Sequence, residues 1–167
     1  MPEPMHVRSM NPSDWPAVRA IYEEGIATRN ATFQTEAPAW DEWDAGHLAE
    51  CRLVAVDAGR TIGWAALSRV SSRCVYAGVA EVSVYVSENA RGGGVGRRLL
   101  DALVVESERN GIWTLQAGIF PENLASITVH ERCGFSHVGR REKLGQMNGR
   151  WRDVLLLERR SLSVGLA

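Results

Sequence analysis

The sequence predicts an α/β protein, a mixed sheet flanked by helices, and three observations carry that reading. Hydrophobic residues switch between helical spacing and strict alternation in the order β-α-α-β-β-β-α-β-α-β-β, and a layered mixed sheet buries both kinds of face. Turn signals separate the alternating segments, with Asn148-Gly149 the strongest. The chain of 167 residues is 45% hydrophobic and 23% charged, which suits one globular domain over residues 1–167 with a sizeable core.

The elements follow in chain order. "MHVRSM" (5–10) alternates enough for a first strand. In "NPSDWPAVRAIYEEGIATRN" (11–30), Trp15, Val18, Ile21, Tyr22 and Ile26 recur at helical spacing; Asn11 or Ser13 is placed to cap that helix, and Pro12 or Pro16 fits its first turn. "ATFQTEAP" breaks the period and reads as a loop, and "AWDEWDAGHLAEC" (39–51) as a shorter helix. "RLVAVD" and "TIGWAALSRV" form a hairpin across "AGR". The strand "GVAEVSVYVS" (78–87) sends Ala80, Val82, Val84 and Val86 to one face and Glu81, Ser83 and Tyr85 to the other. "VGRRLLDALVVESERN" (95–110) reads as a helix closed by Gly111, "IWTLQAGIF" (112–120) as a strand, and "ENLASITVHERC" (122–133) as a helix with Asn123 at its N-cap and Gly134 at its end. "FSHVGRREKLG" and "RWRDVLLLERR" close the chain as paired strands.

Composition excludes several classes. Nineteen basic and twenty acidic residues leave a net charge of −1, without the basic excess a nucleic-acid partner favours. No apolar run approaches the ~20 residues that cross a bilayer, and "MPEPMHVRSM" lacks the basic start and apolar stretch of a signal peptide. Cys51, Cys74 and Cys133 form no CxxC pair, and His130 with Cys133 has no second pair to complete a metal site. The reading is a cytoplasmic protein with reduced thiols, no metal and no membrane.

The stretch "ARGGGVGRRLL" (90–100) carries the chemistry. A Walker loop fails, because Arg97-Arg98 stand where Lys and a hydroxyl residue are needed; a dinucleotide fingerprint fails, because its third glycine falls on Arg97 or Leu99. The physical content survives. Glycines let backbone N–H groups approach an anion, and the following helix adds unpaired N–H groups and a positive dipole end. On residues alone, a basic surface loop is an equal alternative.

"RGGGVG" resembles the coenzyme A pyrophosphate loop of the GNAT superfamily of N-acyltransferases, and "NLASITVHERCGF" is similar to a later segment of that superfamily, with histidine where tyrosine is usual. "SRCVYAGVAEVSVYVS", "GRREKLGQMNGRWRDVLLLER" and "ATFQTEAP" look like its phosphinothricin and methionine sulfoximine acetyltransferase branch, so the match spans nearly the whole chain. The resemblance implies acetyl transfer from acetyl-CoA to the α-amino group of a small amino-acid-like acceptor, by a homodimer. Val82, Ser83, Val84 and Val86 would flank the pantetheine arm between strands 79–87 and 112–120. Arg91, Gly92, Gly93, Gly94, Val95, Gly96 and Arg97 would hold the phosphates, and Asn123 and Ser126 would touch the cofactor.

Glu81 is the first candidate base, because a carboxylate inside an apolar strand is costly unless solvated, paired or used, and partial burial raises its pKa. His130 stands where relatives place a tyrosine that protonates the departing thiolate; the division of labour between the two stays open. Arg73 and Tyr76 match acceptor-pocket positions of the branch, with an arginine suited to a carboxylate or phosphinate; Phe33, and less distinctly Thr32, would cover the acceptor. Trp151 and Asp153 read as structural or interfacial. Two rivals stand beside this reading. One is a different amine acceptor, such as a protein N-terminus, a polyamine or an aminoglycoside. The other is a non-catalytic acyl-CoA sensor.

Overall fold

Alternation builds the sheet and helical spacing covers it. The computed structural model describes residues 3–167; Met1 and Pro2, the start of the N-terminal stretch discussed above, lie outside the described residues. The strands are β1 (His6–Ser9), β2 (Leu53–Asp57), β3 (Arg60–Arg69), β4 (Val79–Val86), β5 (Thr114–Ile119), β6 (Ser136–Met147) and β7 (Arg150–Arg160). They form one sheet in the order β1-β2-β3-β4-β5-β7-β6. The helices are α1 (Trp15–Ala27), α2 (Trp40–Gly46), α3 (Val95–Arg109) and α4 (Leu124–Arg132), so the element order is the one the sequence predicts.

Strand alternation divides the core between the two faces. On β3, Ala65 and Leu67 join the cluster packed by Leu99, Leu100 and Leu103 of α3, whereas Trp64 and Ala66 join the one packed by Val18 and Ile21 of α1 and Trp43 of α2. Trp64 is fully buried and stacks on Tyr85 of β4, with ring centroids 4.9 Å apart.

Three local departures from the sequence reading have physical causes. α1 starts at Trp15, after a single turn at Pro12–Asp14 whose N-cap is Asn11; the N-cap of α1 itself is Asp14, and Ser13 caps neither. The Asp14 carboxylate at its N-cap instead accepts bonds from Arg8 (2.8 and 2.9 Å) and from the Asn11 N–H (2.7 Å). α2 stops at Gly46 instead of Cys51, because the Leu48 N–H leaves the helix to donate to the Leu67 carbonyl of β3 (2.8 Å). β6 runs to Met147 and bulges between Arg141 and Gly145. Asp153 pins the bulge, accepting from the Lys143 N–H (2.7 Å) and from Arg140 Nε (2.8 Å).

The feature that positions the site is the one parallel pair. β4 and β5, joined through α3, pair only at Val79–Thr114, Ala80–Leu115 and Glu81–Gln116. The outer edge of β4 stays paired with β3 as far as Val86, and that of β5 stays paired with β7 as far as Ile119. Beyond Glu81 the two strands therefore part inside a sheet that is otherwise antiparallel. The closed end of the pair is at buried Gly78, whose carbonyl accepts from the N–H groups of Trp113 (2.8 Å) and Thr114 (3.1 Å). A Cβ at Gly78 would lie 2.0 Å from the Trp113 ring. Gly78→Ala is therefore expected to displace Trp113 and lower stability by about 1–3 kcal/mol, read as a fall in the denaturant midpoint; an unchanged midpoint would mean that the ring moves freely.

Candidate active site

Two clefts open where β4 and β5 part. The first, about 550 Å³, is floored by Glu81, Val82, Ser83, Val84 and Tyr85 of β4 and by Gln116, Ala117, Gly118 and Ile119 of β5. The loop after α1 walls it with Ala31, Thr32, Phe33 and Gln34, while the β6 bulge contributes Arg141 and Leu144. The second, about 660 Å³, runs from Val84, Tyr85 and Val86 past Arg91, Gly92, Gly94, Val95, Gly96 and Arg97 to the outer side of α4. Ala31, Val84, Tyr85, Asn123, Ser126 and His130 line both, so the clefts meet at those residues.

Glu81 occupies the floor of the first cleft. Burial pushes its carboxyl pKa up, and the nearby positive charge of Arg141 pulls it back down in part. Space for that carboxylate comes from Gly118, where a Cβ would stand 3.5 Å from Glu81 Oε1 and 3.3 Å from Val154. Above it, Tyr22 and Tyr85 stack at 4.9 Å, and burial raises both phenol pKa values, keeping the hydroxyls protonated.

His130, 5% exposed, stands on α4 at the junction. Its Nδ1 lies 2.7 Å from the Ser126 carbonyl, an acceptor only, so Nδ1 carries the hydrogen and Nε2 keeps the lone pair. Burial lowers its pKa and outweighs that bond, so the ring is neutral at neutral pH. Asn123 caps α4, accepting from the Ser126 N–H (3.2 Å), while its amide donates to the Asn30 carbonyl (3.1 Å).

The second cleft holds the glycine loop. Gly92 (φ 81°) and Gly94 (φ 82°) take left-handed backbone, and Gly94 is the N-cap of α3. The first bond into the helix runs from the Arg98 N–H to the Gly94 carbonyl (3.2 Å), leaving the N–H groups of Val95, Gly96 and Arg97 without helical partners. With Arg91 and Arg97 beside them, these donors fit a pyrophosphate. On the strand side, every second residue of β4 beyond Glu81 turns its N–H and carbonyl into the gap, which fits the amides of an extended chain.

Most of the expected site residues thus converge, and three stand apart. Gly93 lies in the loop but off both linings. Arg73 and Tyr76, expected at the acceptor, line neither cleft of the single chain. They sit at the short exposed turn between β3 and β4, where the Arg73 guanidinium lies over the Tyr76 ring at 5.7 Å and Tyr76 is 44% exposed. The sequence reading did not single out Tyr22, Gln116, Gly118, Phe120 or Arg141 for the site. Tyr85 alone carried a signal, sharing the strand face of Glu81 and Ser83. Among the described residues no group of three or more His, Cys, Asp or Glu is placed to hold a metal, and no helix is long and apolar enough to cross a membrane.

Comparison with known proteins agrees with this geometry. Residues 15–135 match the model of the Acetyltransferase (GNAT) family. The chain is 30% identical over 159 residues to the L-methionine sulfoximine/L-methionine sulfone acetyltransferase of Pseudomonas aeruginosa, covering 91% of this chain and 92% of that protein. Among solved structures it resembles a GNAT superfamily phosphinothricin acetyltransferase from Sinorhizobium meliloti in complex with acetyl-CoA. There the TM-score is 0.87 and the identity 28%, over 99% of this chain and 92% of that one. It also resembles a ribosomal-protein-alanine N-acetyltransferase from Brucella melitensis, with TM-score 0.85 and 32% identity over 93% and 99% of the two chains.

Because a side chain at Gly94 strains a left-handed residue whatever the space around it, Gly94→Val should weaken coenzyme A binding about ten-fold or more. Calorimetric titration reads this directly, and an unchanged Kd would remove the loop from phosphate binding.

Proposed function

Because the chain belongs to the Acetyltransferase (GNAT) family and uses acetyl-CoA to acetylate an amine, we propose that its acceptor is a small amino-acid-like molecule acetylated on its α-amino group. Phosphinothricin, methionine sulfoximine and methionine sulfone represent the type, and the names of its relatives support that choice. One observation carries the reading: a compact cavity holding Glu81 and Arg141, opposite in charge, meets the glycine-loop groove at His130. A zwitterionic acceptor suits such a cavity, its ammonium toward Glu81 and its acid group toward an arginine.

In the proposed mechanism, Glu81 takes the first proton from the ammonium, directly or through water, and its raised pKa suits it to that task. The neutral amine attacks the thioester carbonyl, and a backbone N–H of β4 in the Val82–Val84 stretch holds the oxyanion. His130 Nε2 accepts the second proton from the nitrogen as the C–N bond forms and returns it to the departing thiolate. The Nδ1 contact with Ser126 leaves that nitrogen free for the task. Arg73 and Tyr76 remain part of this proposal as a second anion-binding pair that reaches the acceptor cavity of a partner copy, since they line neither cleft of their own chain. So does a homodimer through the exposed β6–β7 strip, where Trp151 is 59% exposed. The three free cysteines suit a cytoplasmic setting.

A second reading, an N-terminal alanine as acceptor, is favoured by the name of the Brucella relative. A thiol-release assay with acetyl-CoA separates the two. Turnover of methionine sulfone, methionine sulfoximine or phosphinothricin with an idle alanyl peptide supports the proposal, and the reverse result overturns it.

Glu81→Gln is expected to lower kcat by about 10²–10⁴-fold while acetyl-CoA still binds; full turnover would remove Glu81 from the mechanism. Both proton acceptors must be deprotonated to work. Acceptor kcat/KM should therefore fall as pH drops through the lowered His130 pKa and again through the raised Glu81 pKa. His130→Asn should abolish the part of that acid limb which Glu81→Gln leaves in place, and an unaltered pH profile in both variants would exclude the pair.

A further inference from the structure

The mechanism leaves Arg152 on β7 without a role, although this half-buried side chain, 18% exposed, is heavily bonded and lines neither cleft. Its guanidinium carbon lies over Phe120, 3.9 Å from the ring centroid. Nη1 donates to the Arg29 carbonyl (2.8 Å) and approaches Met147 Sδ (3.3 Å), while Nη2 donates to Asn30 Oδ1 (3.0 Å) and to Glu122 Oε2 (3.2 Å). These partners come from three places far apart in the chain: the turn after α1, the corner between β5 and α4, and the end of β6.

What those contacts hold is the acceptor wall. Arg29 and Asn30 lead directly into Ala31, Thr32, Phe33 and Gln34, which line the first cleft. Arg29 has φ 57°, so this turn is not one its own sequence favours. It is tied down from outside, by Arg152 on one side and by the Asn123 amide on the Asn30 carbonyl (3.1 Å) on the other. Phe33 then packs against Phe120 in a T-shaped pair, ring centroids 4.9 Å apart, so the ring that carries the guanidinium also seats the wall residue. Glu122 is 63% exposed and adds little to this arrangement, since surface ion pairs are screened.

We propose that Arg152 is a positioning residue for the acceptor: it clasps the Arg29–Asn30 turn to Phe120 and thereby sets where Ala31–Gln34 stand over the cavity. The proposal rests on the reading of the first cleft as the acceptor site. Lysine cannot replace this group, because one ammonium lacks the planar fork that reaches two loop acceptors while stacking on a ring.

The test uses the full chain with Arg152→Ala, Arg152→Lys and Asn30→Ala, and reads two quantities. The first is hydrogen–deuterium exchange of amides 29–34, which needs no acceptor. Exchange there should quicken about ten-fold in Arg152→Ala and Asn30→Ala, without comparable change in α3. The second is steady-state kinetics. Acceptor KM should rise about ten-fold or more in Arg152→Ala and nearly as much in Arg152→Lys, with acetyl-CoA KM within about three-fold of the parent. The double variant Arg152→Ala/Asn30→Ala should be no worse than Arg152→Ala alone, because both remove one clasp.

Unchanged exchange over 29–34 overturns the proposal. So does a rise of both KM values in step with a falling Tm, which would mark a general structural role. If Arg152→Ala does not fold, Asn30→Ala decides by the exchange reading, because Asn30 itself lines the second cleft and its acetyl-CoA KM is not a neutral control. If the parent chain turns over none of the amines tried, the acceptor reading fails on its own, and the exchange data still decide whether the clasp exists.

Discussion

The parting of β4 and β5 after three paired residues is the constraint on which the rest of the molecule depends. A parallel pair inside an antiparallel sheet is held together only where the register allows, and here it ends at Glu81 and Gln116. Beyond that point β4 keeps its bonds to β3 and β5 keeps its bonds to β7, so neither strand can close the gap without giving up the other ladder. The backbone groups that face the gap are left to whatever enters it, and buried backbone donors and acceptors demand partners. An extended chain carrying amides answers that demand as an added strand would. On the proposed reading, one substrate enters past the glycine loop and the other past the loop after α1, and they meet at His130, which lines both clefts.

Strand pleating then decides which side chain meets which substrate. Ala80 and Val82 are buried in the cluster beneath α3, and their neighbours Glu81, Ser83 and Tyr85 turn to the first cleft. Glu81 is tolerated there because the groups around it offset part of its desolvation. Gly118 leaves it room, and Arg141 supplies opposite charge without forming a direct ion pair. A carboxylate held between burial and a distant cation keeps a raised pKa and remains free to exchange a proton; a bidentate partner, such as Arg8 gives Asp14, would hold it ionised.

Legibility in the sequence follows the range of the interactions. The element order, the β4 alternation, the helix that follows the glycine loop and the Asn123 cap of α4 are set by neighbours a few residues apart, and all four are readable from spacing alone. The early stop of α2 is not, because a single bond from Leu48 to Leu67 of β3 ends it. Nor is the β6 bulge that carries Arg141 over the cavity, since Asp153 on another strand pins it. Arg73 and Tyr76 show the complementary limit. A likeness of motif placed them at the acceptor, while the turn that bears them leaves them against each other on the surface of a single chain.

This division has a functional consequence. On the proposed reading, the phosphate end of the site is one continuous segment, Arg91–Arg97, and consists largely of backbone N–H groups, which do not change when side chains do. The first cleft, the acceptor end on that reading, is built from side chains on β4, β5, β6 and the loop after α1, brought together by long-range contacts, with Arg152 touching three of the segments that frame the wall. Substitutions on those elements can reshape the acceptor cavity while leaving the anion cradle and the strand gap as they are. An enzyme assembled in this way keeps its acyl donor through sequence drift and exchanges its acceptor with comparative ease, because the two substrates are held by different kinds of chemistry on either side of one histidine.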